Sequence, residues 1–159
     1  MGLDLDSCAG ALGSFKGFSR RLEIKRMKGF TLIDDSYNAS PDSMKAAIDV
    51  LADFNAPGKK IAVLADMFEL GKNAPLYHEE VGKYVSEKKP DAVITIGELS
   101  ENIAREAIKG NVPTFITKTN EEGFKTLKTI LERGDVVLLK GSNGMKLNEI
   151  ASAAEELEL

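Results

Sequence analysis

The sequence predicts an α/β fold: a Rossmann-like, mostly parallel sheet of about six strands, one of them an antiparallel edge strand, with helices on both faces. Three patterns point to it. Short, unbroken apolar runs recur along the chain, too short for helices and suited to strands covered on both sides. Stretches with apolar residues at helical spacing separate these runs, which is how a parallel sheet with crossover helices reads in sequence. One early stretch instead alternates apolar and charged residues, the mark of a half-exposed strand.

The elements follow in order. Leu22 to Met27 alternates, and Lys28-Gly29 can turn the chain into Phe30 to Ile33, so these two pieces are expected to pair as a hairpin with the first at the sheet edge. Ile61 to Leu64, Ala92 to Ile96, Pro113 to Ile116 and Val136 to Leu139 complete a set of five parallel strands with Phe30 to Ile33. Between them, Met44, Ile48 and Leu51 share a helical face, as do Tyr77, Val81, Tyr84 and Val85, then Leu99 and Ile103, then Phe124, Leu127 and Leu131. A last helix carries Leu147, Ile150, Ala151 and Ala154, and all these stripes read as core-facing. Residues 1–20 are rich in Gly, Ser and small side chains and read as a linker or the tail of a preceding domain, leaving 21–159 as the folded unit.

Composition narrows the function classes. A chain of 159 residues is long enough to bury a core without staples. The net charge of −4 gives no footprint for nucleic acid. The densest basic stretch, Lys16, Arg20, Arg21, Lys25, Arg26 and Lys28, is interrupted by Glu23 and apolar residues and reads as a solvated strand face. A single cysteine, Cys8, leaves no internal disulfide, and no apolar run nears the roughly 20 residues that span a bilayer. A cytoplasmic protein without membrane insertion is expected.

In an open parallel sheet, ligands bind beyond the carboxyl ends of the strands, so the segments leaving the strands carry the functional reading. After the first parallel strand comes Asp34-Asp35-Ser36-Tyr37-Asn38-Ala39-Ser40-Pro41, ending in a helix start with Ser40 as N-cap and Pro41 in the first turn. An acid, an aromatic ring and an amide together suit a nucleoside, although Asp34 and Asp35 read equally as solvated turn acids. Ala65-Asp66-Met67-Phe68-Glu69-Leu70-Gly71 leaves the next strand and leads to His78, the only histidine, which on spacing reads as a helix-surface residue. Lys140-Gly141-Ser142-Asn143-Gly144 leaves the last strand, where a lysine can meet a carboxylate or a phosphate or form a plain salt bridge. The chain has no P-loop: Gly58-Lys59, Gly71-Lys72 and Gly82-Lys83 all lack the following Ser or Thr. Dinucleotide and nucleophile-elbow motifs are absent too.

Taken together, Leu32 to Met44, Val63 to Gly71 with His78, and Leu139 to Met145 resemble the C-terminal domain of the Mur ligase family, in its MurF (D-alanyl-D-alanine-adding) form. The resemblance runs from about Arg21 to the last helix. It implies a domain of an ATP-dependent cell-wall ligase that joins D-alanyl-D-alanine to a UDP-MurNAc-tripeptide through an acyl-phosphate, with further roles in cell shape and division. ATP and Mg2+ would be held mainly by a central ATPase domain bearing the P-loop, and an N-terminal domain would bind UDP. Arg21 then matches a hinge arginine near the phosphates, Asp35 the ribose acid, and Tyr37 and Asn38 the adenine neighbourhood. Lys140 and Ser142 fall where dipeptide and acyl-phosphate meet, with Asp66 and Leu70 on the adjacent loop. No catalytic residue or metal ligand is implied on this domain alone, which is expected to be inactive in isolation. Arg20, Ala65, Ser40 and Asn143 depart from the family's usual Gly, Gly, Asn and Arg.

Three alternatives are weighed against this. A sister Mur or folylpolyglutamate-type ligase shares the fold but lacks the Ser36-Tyr37-Asn38-Ala39 form of the loop. A receiver-like signalling domain needs a phosphoacceptor Asp after the strand Ala92 to Ile96, where Gly97 stands. A noncatalytic binding domain has no need of the three loops together.

Overall fold

The computed structural model describes residues 19–159. Cys8, Lys16 and most of the expected linker therefore lie outside the described residues. Six strands form one sheet: β1 (Glu23–Arg26), β2 (Thr31–Asp35), β3 (Lys60–Ala65), β4 (Ala92–Ile96), β5 (Thr114–Thr117) and β6 (Val136–Lys140). Their spatial order is β1-β2-β6-β3-β4-β5. Only β1 runs antiparallel, pairing Arg26 with Thr31 and Glu23 with Asp34 across the Lys28-Gly29 turn. The remaining pairings are parallel, and β2 aligns Asp35 with Lys140 at the end of β6. That register decides the chemistry below, because it sets a carboxylate beside a lysine on neighbouring strand ends.

Among the described residues, five α-helices cover the sheet: α1 (Pro41–Asp53), α2 (Ala74–Lys88), α3 (Glu101–Lys109), α4 (Asn120–Ile130) and α5 (Asn148–Glu155). Side chains alternate across each strand, so each strand feeds two cores. Ile33, Ala62, Leu64, Val93 and Leu138 pack under α1, α2 and α3. Leu32, Ile61, Val63, Ile94, Val137 and Leu139 pack under α4 and α5. Met44, Ile48 and Leu51 of α1 are almost wholly buried, and each such side chain contributes roughly 1.5–3 kcal/mol by leaving water. The helix starts at Ser40, whose hydroxyl accepts from the Ser43 N–H while the Ser43 hydroxyl accepts from Ser40, a reciprocal cap followed by Pro41.

Two sequence expectations fail here. The run Pro113 to Ile116 was expected to be covered on both faces, but β5 is the sheet edge opposite β1, and Phe115 and Ile116 are 37% and 48% exposed. Apolar content alone does not separate an edge strand from a central one. His78, expected on the surface of its helix, is fully buried, because its ring satisfies two backbone groups. Nδ1 donates to the Ala74 carbonyl at 2.7 Å and Nε2 accepts the Met67 N–H at 2.9 Å. Such a contact is tertiary and leaves no trace in helical spacing.

Candidate functional site

The carboxyl ends of β2, β6, β3 and β4 open on one side of the sheet, and these ends and the loops leaving them carry every site residue singled out in the sequence except Arg21, which precedes β1. At the β2 end the two acids separate as strand alternation demands. Asp34 is 1% exposed, which overturns its reading as a solvated turn acid. Its Oδ1 accepts from the Ser36 N–H and hydroxyl at 3.2 and 2.6 Å, and Lys25 lies 3.7 Å from Oδ2. Asp34 thus shapes the turn from inside.

Asp35 faces the other way. Its Oδ2 lies 2.8 Å from the Lys140 ammonium, and its Oδ1 accepts the Leu22 N–H at 3.1 Å. Lys140, buried at the end of β6, also donates to the Asn38 carbonyl at 2.6 Å. One lysine therefore ties the strand end to the loop that follows β2. A carboxylate offers about four lone-pair sites, so Asp35 keeps acceptor capacity for a ligand after these two contacts.

The chain entering β1 is clamped onto the same loop. Arg20 and Leu22 adopt left-handed backbone angles, φ 57° and 49°, which cost non-glycine residues about 1–2 kcal/mol each. Three hydrogen bonds hold them: Arg20 N–H to Glu23 at 2.9 Å, Tyr37 N–H to the Arg20 carbonyl at 3.1 Å, and Leu22 N–H to Asp35. The Arg20 N–H holds the Glu23 carboxyl below its ordinary range, against a smaller upward push from burial. The clamp aims both arginines at Tyr37, with the Arg21 guanidinium 4.5 Å and that of Arg20 5.4 Å from the ring centre. The ring remains 42% exposed. Asn38 accepts the Ala39 N–H on its Oδ1 at 2.8 Å. Arg21, Asp35, Tyr37, Asn38, Ser43 and Lys140 line a hollow of about 360 Å³. Every nucleotide-loop candidate is thus brought together, and Lys140 joins that group.

The remaining candidates gather at the β3 and β6 ends. Ser142 donates its N–H to the Asp66 carbonyl at 3.0 Å and accepts the Phe68 N–H on its hydroxyl at 2.8 Å, zipping the two loops together. Asp66 is buried, with Oδ1 on the Ser100 N–H at 2.7 Å. Leu70, at the far end of the β3 loop, lines a second hollow with Pro41, Glu69 and Tyr77, apart from Asp66 and Ser142. His78 fixes this loop from beneath through Met67, and burial lowers its pKa, opposed by the Ala74 carbonyl and the Asp66 charge. Sequence reading gave no role to Ser36, Gly97, Ser100 or the Leu22 N–H, whose contacts with Asp34, Asp66 and Asp35 form only in the folded chain. Only Gly97, standing directly after a buried strand, carried a usable signal. Among the described residues, no group of three or more His, Cys, Asp or Glu could hold a metal ion, and no helix is long and apolar enough to cross a membrane.

The family model for the Mur ligase, glutamate ligase domain, matches residues 20–143. The chain belongs to the Mur ligase C-terminal domain family. It is 40% identical over 152 residues to the UDP-N-acetylmuramoyl-tripeptide–D-alanyl-D-alanine ligase of Bacillus subtilis, covering 94% of this chain and 33% of that protein. A crystal structure of MurF from Acinetobacter baumannii superposes with a TM-score of 0.87 at 25% identity, covering 98% of this chain and 34% of that one. MurF of Thermotoga maritima, solved in complex with ADP, gives a TM-score of 0.75 at 31% identity, with 98% and 34% covered. The domain thus spans about a third of the length of the curated relatives it matches. The MurF-type resemblance and the mostly parallel six-stranded fold both stand, and the receiver reading falls with them.

Proposed function

We propose that the domain is the C-terminal part of an ATP-dependent ligase that adds D-alanyl-D-alanine to a UDP-MurNAc-tripeptide, and that it helps hold ATP and positions the amine. The observation that carries the nucleotide half is the hollow at the end of β2, with an exposed tyrosine ring, two guanidinium groups beside it and a carboxylate with spare acceptor capacity. These groups fit a nucleotide: the ring can stack on adenine, Asp35 can accept from ribose hydroxyls, and Arg21 can face phosphate. Asn38 can offer its amide hydrogens to the base edge. The choice of amine rests on the activity by which the Bacillus subtilis relative is named, a protein 40% identical to this domain over 152 residues.

In such a reaction the peptide carboxylate is activated as an acyl-phosphate, and the amine displaces phosphate. In this reading the domain supplies positioning, while Mg2+ and the phosphates would rest chiefly on a central ATPase domain that carries the P-loop this chain lacks. An N-terminal domain would take the UDP end. Ser142, Asp66 and Leu70 form the amine side. Lys140 holds the Asn38 carbonyl and Asp35, so its reach toward the acyl-phosphate is combined with shaping the nucleotide loop. A cytoplasmic location fits this use of soluble precursors.

The test is product identity. The complete ligase, given ATP, Mg2+ and UDP-MurNAc-tripeptide, should gain the mass of two alanine residues from D-alanyl-D-alanine and release one phosphate per turnover. A product carrying one amino acid or glutamate, with D-alanyl-D-alanine refused, would favour a sister ligase. The isolated domain should release no phosphate from ATP.

A further inference from the structure

Three carboxylates are buried among the described residues: Asp34 at 1%, Asp135 at 2% and Asp66 at 6% exposure. Two have cations nearby, Lys25 at 3.7 Å from Asp34 and Lys59 at 3.9 Å from Asp135. Asp66 has none within ion-pair distance among the described residues. A buried charge without a counterion is costly, and proteins keep one where a ligand completes it. Lys118 and His78 feel its field, but Lys118 gives its ammonium to Glu101, and both His78 nitrogens are engaged with backbone.

The surroundings hold Asp66 in a fixed pose. Oδ1 takes the Ser100 N–H at the start of α3, leaving Oδ2 without a partner among the described residues and not sealed from solvent. Across from it, Gly97 has φ 116°, and a Cβ there would lie 2.4–2.6 Å from the carboxylate atoms. The glycine thus reserves room for the carboxylate. On the other side the loops of β3 and β6 are joined through Ser142, whose N–H donates to the Asp66 carbonyl and whose hydroxyl accepts the Phe68 N–H. Phe68, 42% exposed, lies against Gly144 and adds an apolar wall.

We propose that Asp66 receives the ammonium group of the amine substrate on Oδ2, selecting an amine over an uncharged analogue of the same shape. This rests on the ligase function proposed above. An α-amino group, with an ordinary pKa of about 7.7–8.0, arrives mainly as ammonium at neutral pH. A single carboxylate matches one positive charge, whereas a divalent ion asks for several oxygen ligands, and no acidic cluster is present among the described residues.

The test compares D-alanyl-D-alanine with D-lactoyl-D-alanine, which replaces the ammonium by a hydroxyl, in the complete ligase and its Asp66→Asn variant. Loss of a charge-assisted hydrogen bond should raise the KM for D-alanyl-D-alanine about tenfold to a hundredfold. Inhibition by the hydroxyl analogue, which keeps a donor to the carboxylate but no charge of its own, should weaken clearly less than D-alanyl-D-alanine does, and the KM for ATP should shift by less than about threefold. Equal weakening of amine and hydroxyl analogue would mean that Asp66 only shapes the loop, and an unchanged KM would remove it from the site; either result overturns the inference. If Asp66→Asn does not fold, Asp66→Ser is read the same way. A wild-type ligase that refuses D-alanyl-D-alanine sinks the functional proposal instead, and the comparison is then made with the amine it accepts and the matching hydroxyl analogue.

Discussion

Asp35 and Lys140 meet on neighbouring strand ends, so replacing either one tests how the loop after β2 is held. Lys140 is 3% exposed, and its counterion Asp35 is 13% exposed in its side chain. Asp35→Asn removes the charge and turns an NH2 toward either Lys140 or the Leu22 N–H, both of which are donors. Breaking a buried pair from one side costs about 3–5 kcal/mol. Lys140 keeps the Asn38 carbonyl and Asp35 sits near solvent, so about 3 kcal/mol, the low end, applies. Lys140→Met costs less, about 1–2 kcal/mol, because the carboxylate left behind can reach water. The double variant Asp35→Asn/Lys140→Met no longer strands an ammonium and should recover about 1–2 kcal/mol relative to the sum of the single changes. Urea unfolding of this chain, read by circular dichroism, gives all four stabilities. Strict additivity, or a lysine variant costlier than the aspartate variant, would refute the reasoning.

Further outcomes follow from buried contacts. Burial depresses the His78 pKa, so the neutral ring's contribution is fully present above the ordinary histidine value and is lost as pH falls through the lowered one. Wild-type stability should therefore drop from about pH 7.5 to about 5.5 more steeply than that of His78→Gln, and parallel curves would contradict this. Gly82→Ala should destabilise by about 2–3 kcal/mol, because its Cβ would stand 2.6 Å from the Ile103 carbonyl where α2 crosses α3. Thermal unfolding within a degree or so of wild type would show that the helices can part cheaply.

The sheet was legible because its strands are covered on both sides: Ile61 to Leu64 and Val136 to Leu139 have to be apolar at every position, and they are. The edge status of β5 was not, since Phe115 and Ile116 are as apolar as any central pair. In the site, Asp35, Tyr37 and Asn38 could be named because they stand together after a strand. Their link to Lys140 could not, because it depends on β2 lying beside β6, a pairing across more than a hundred residues. The same holds for His78, whose partner Met67 lies on another element, and for Asp66, whose anchor is a backbone N–H with no side-chain signature.

Under the proposed function, the crevice has a nucleotide end at Asp35, Tyr37 and Asn38 and an amine end at Asp66 and Ser142. Steady-state kinetics of Tyr37→Ala and Ser142→Ala in the complete ligase test that division directly. Tyr37→Ala should raise the KM for ATP roughly five- to tenfold through lost stacking, worth about 1–1.5 kcal/mol, and leave that for D-alanyl-D-alanine near wild type. Ser142→Ala should do the reverse. A reversed pattern, or equal effects of both changes on both substrates, would contradict the division.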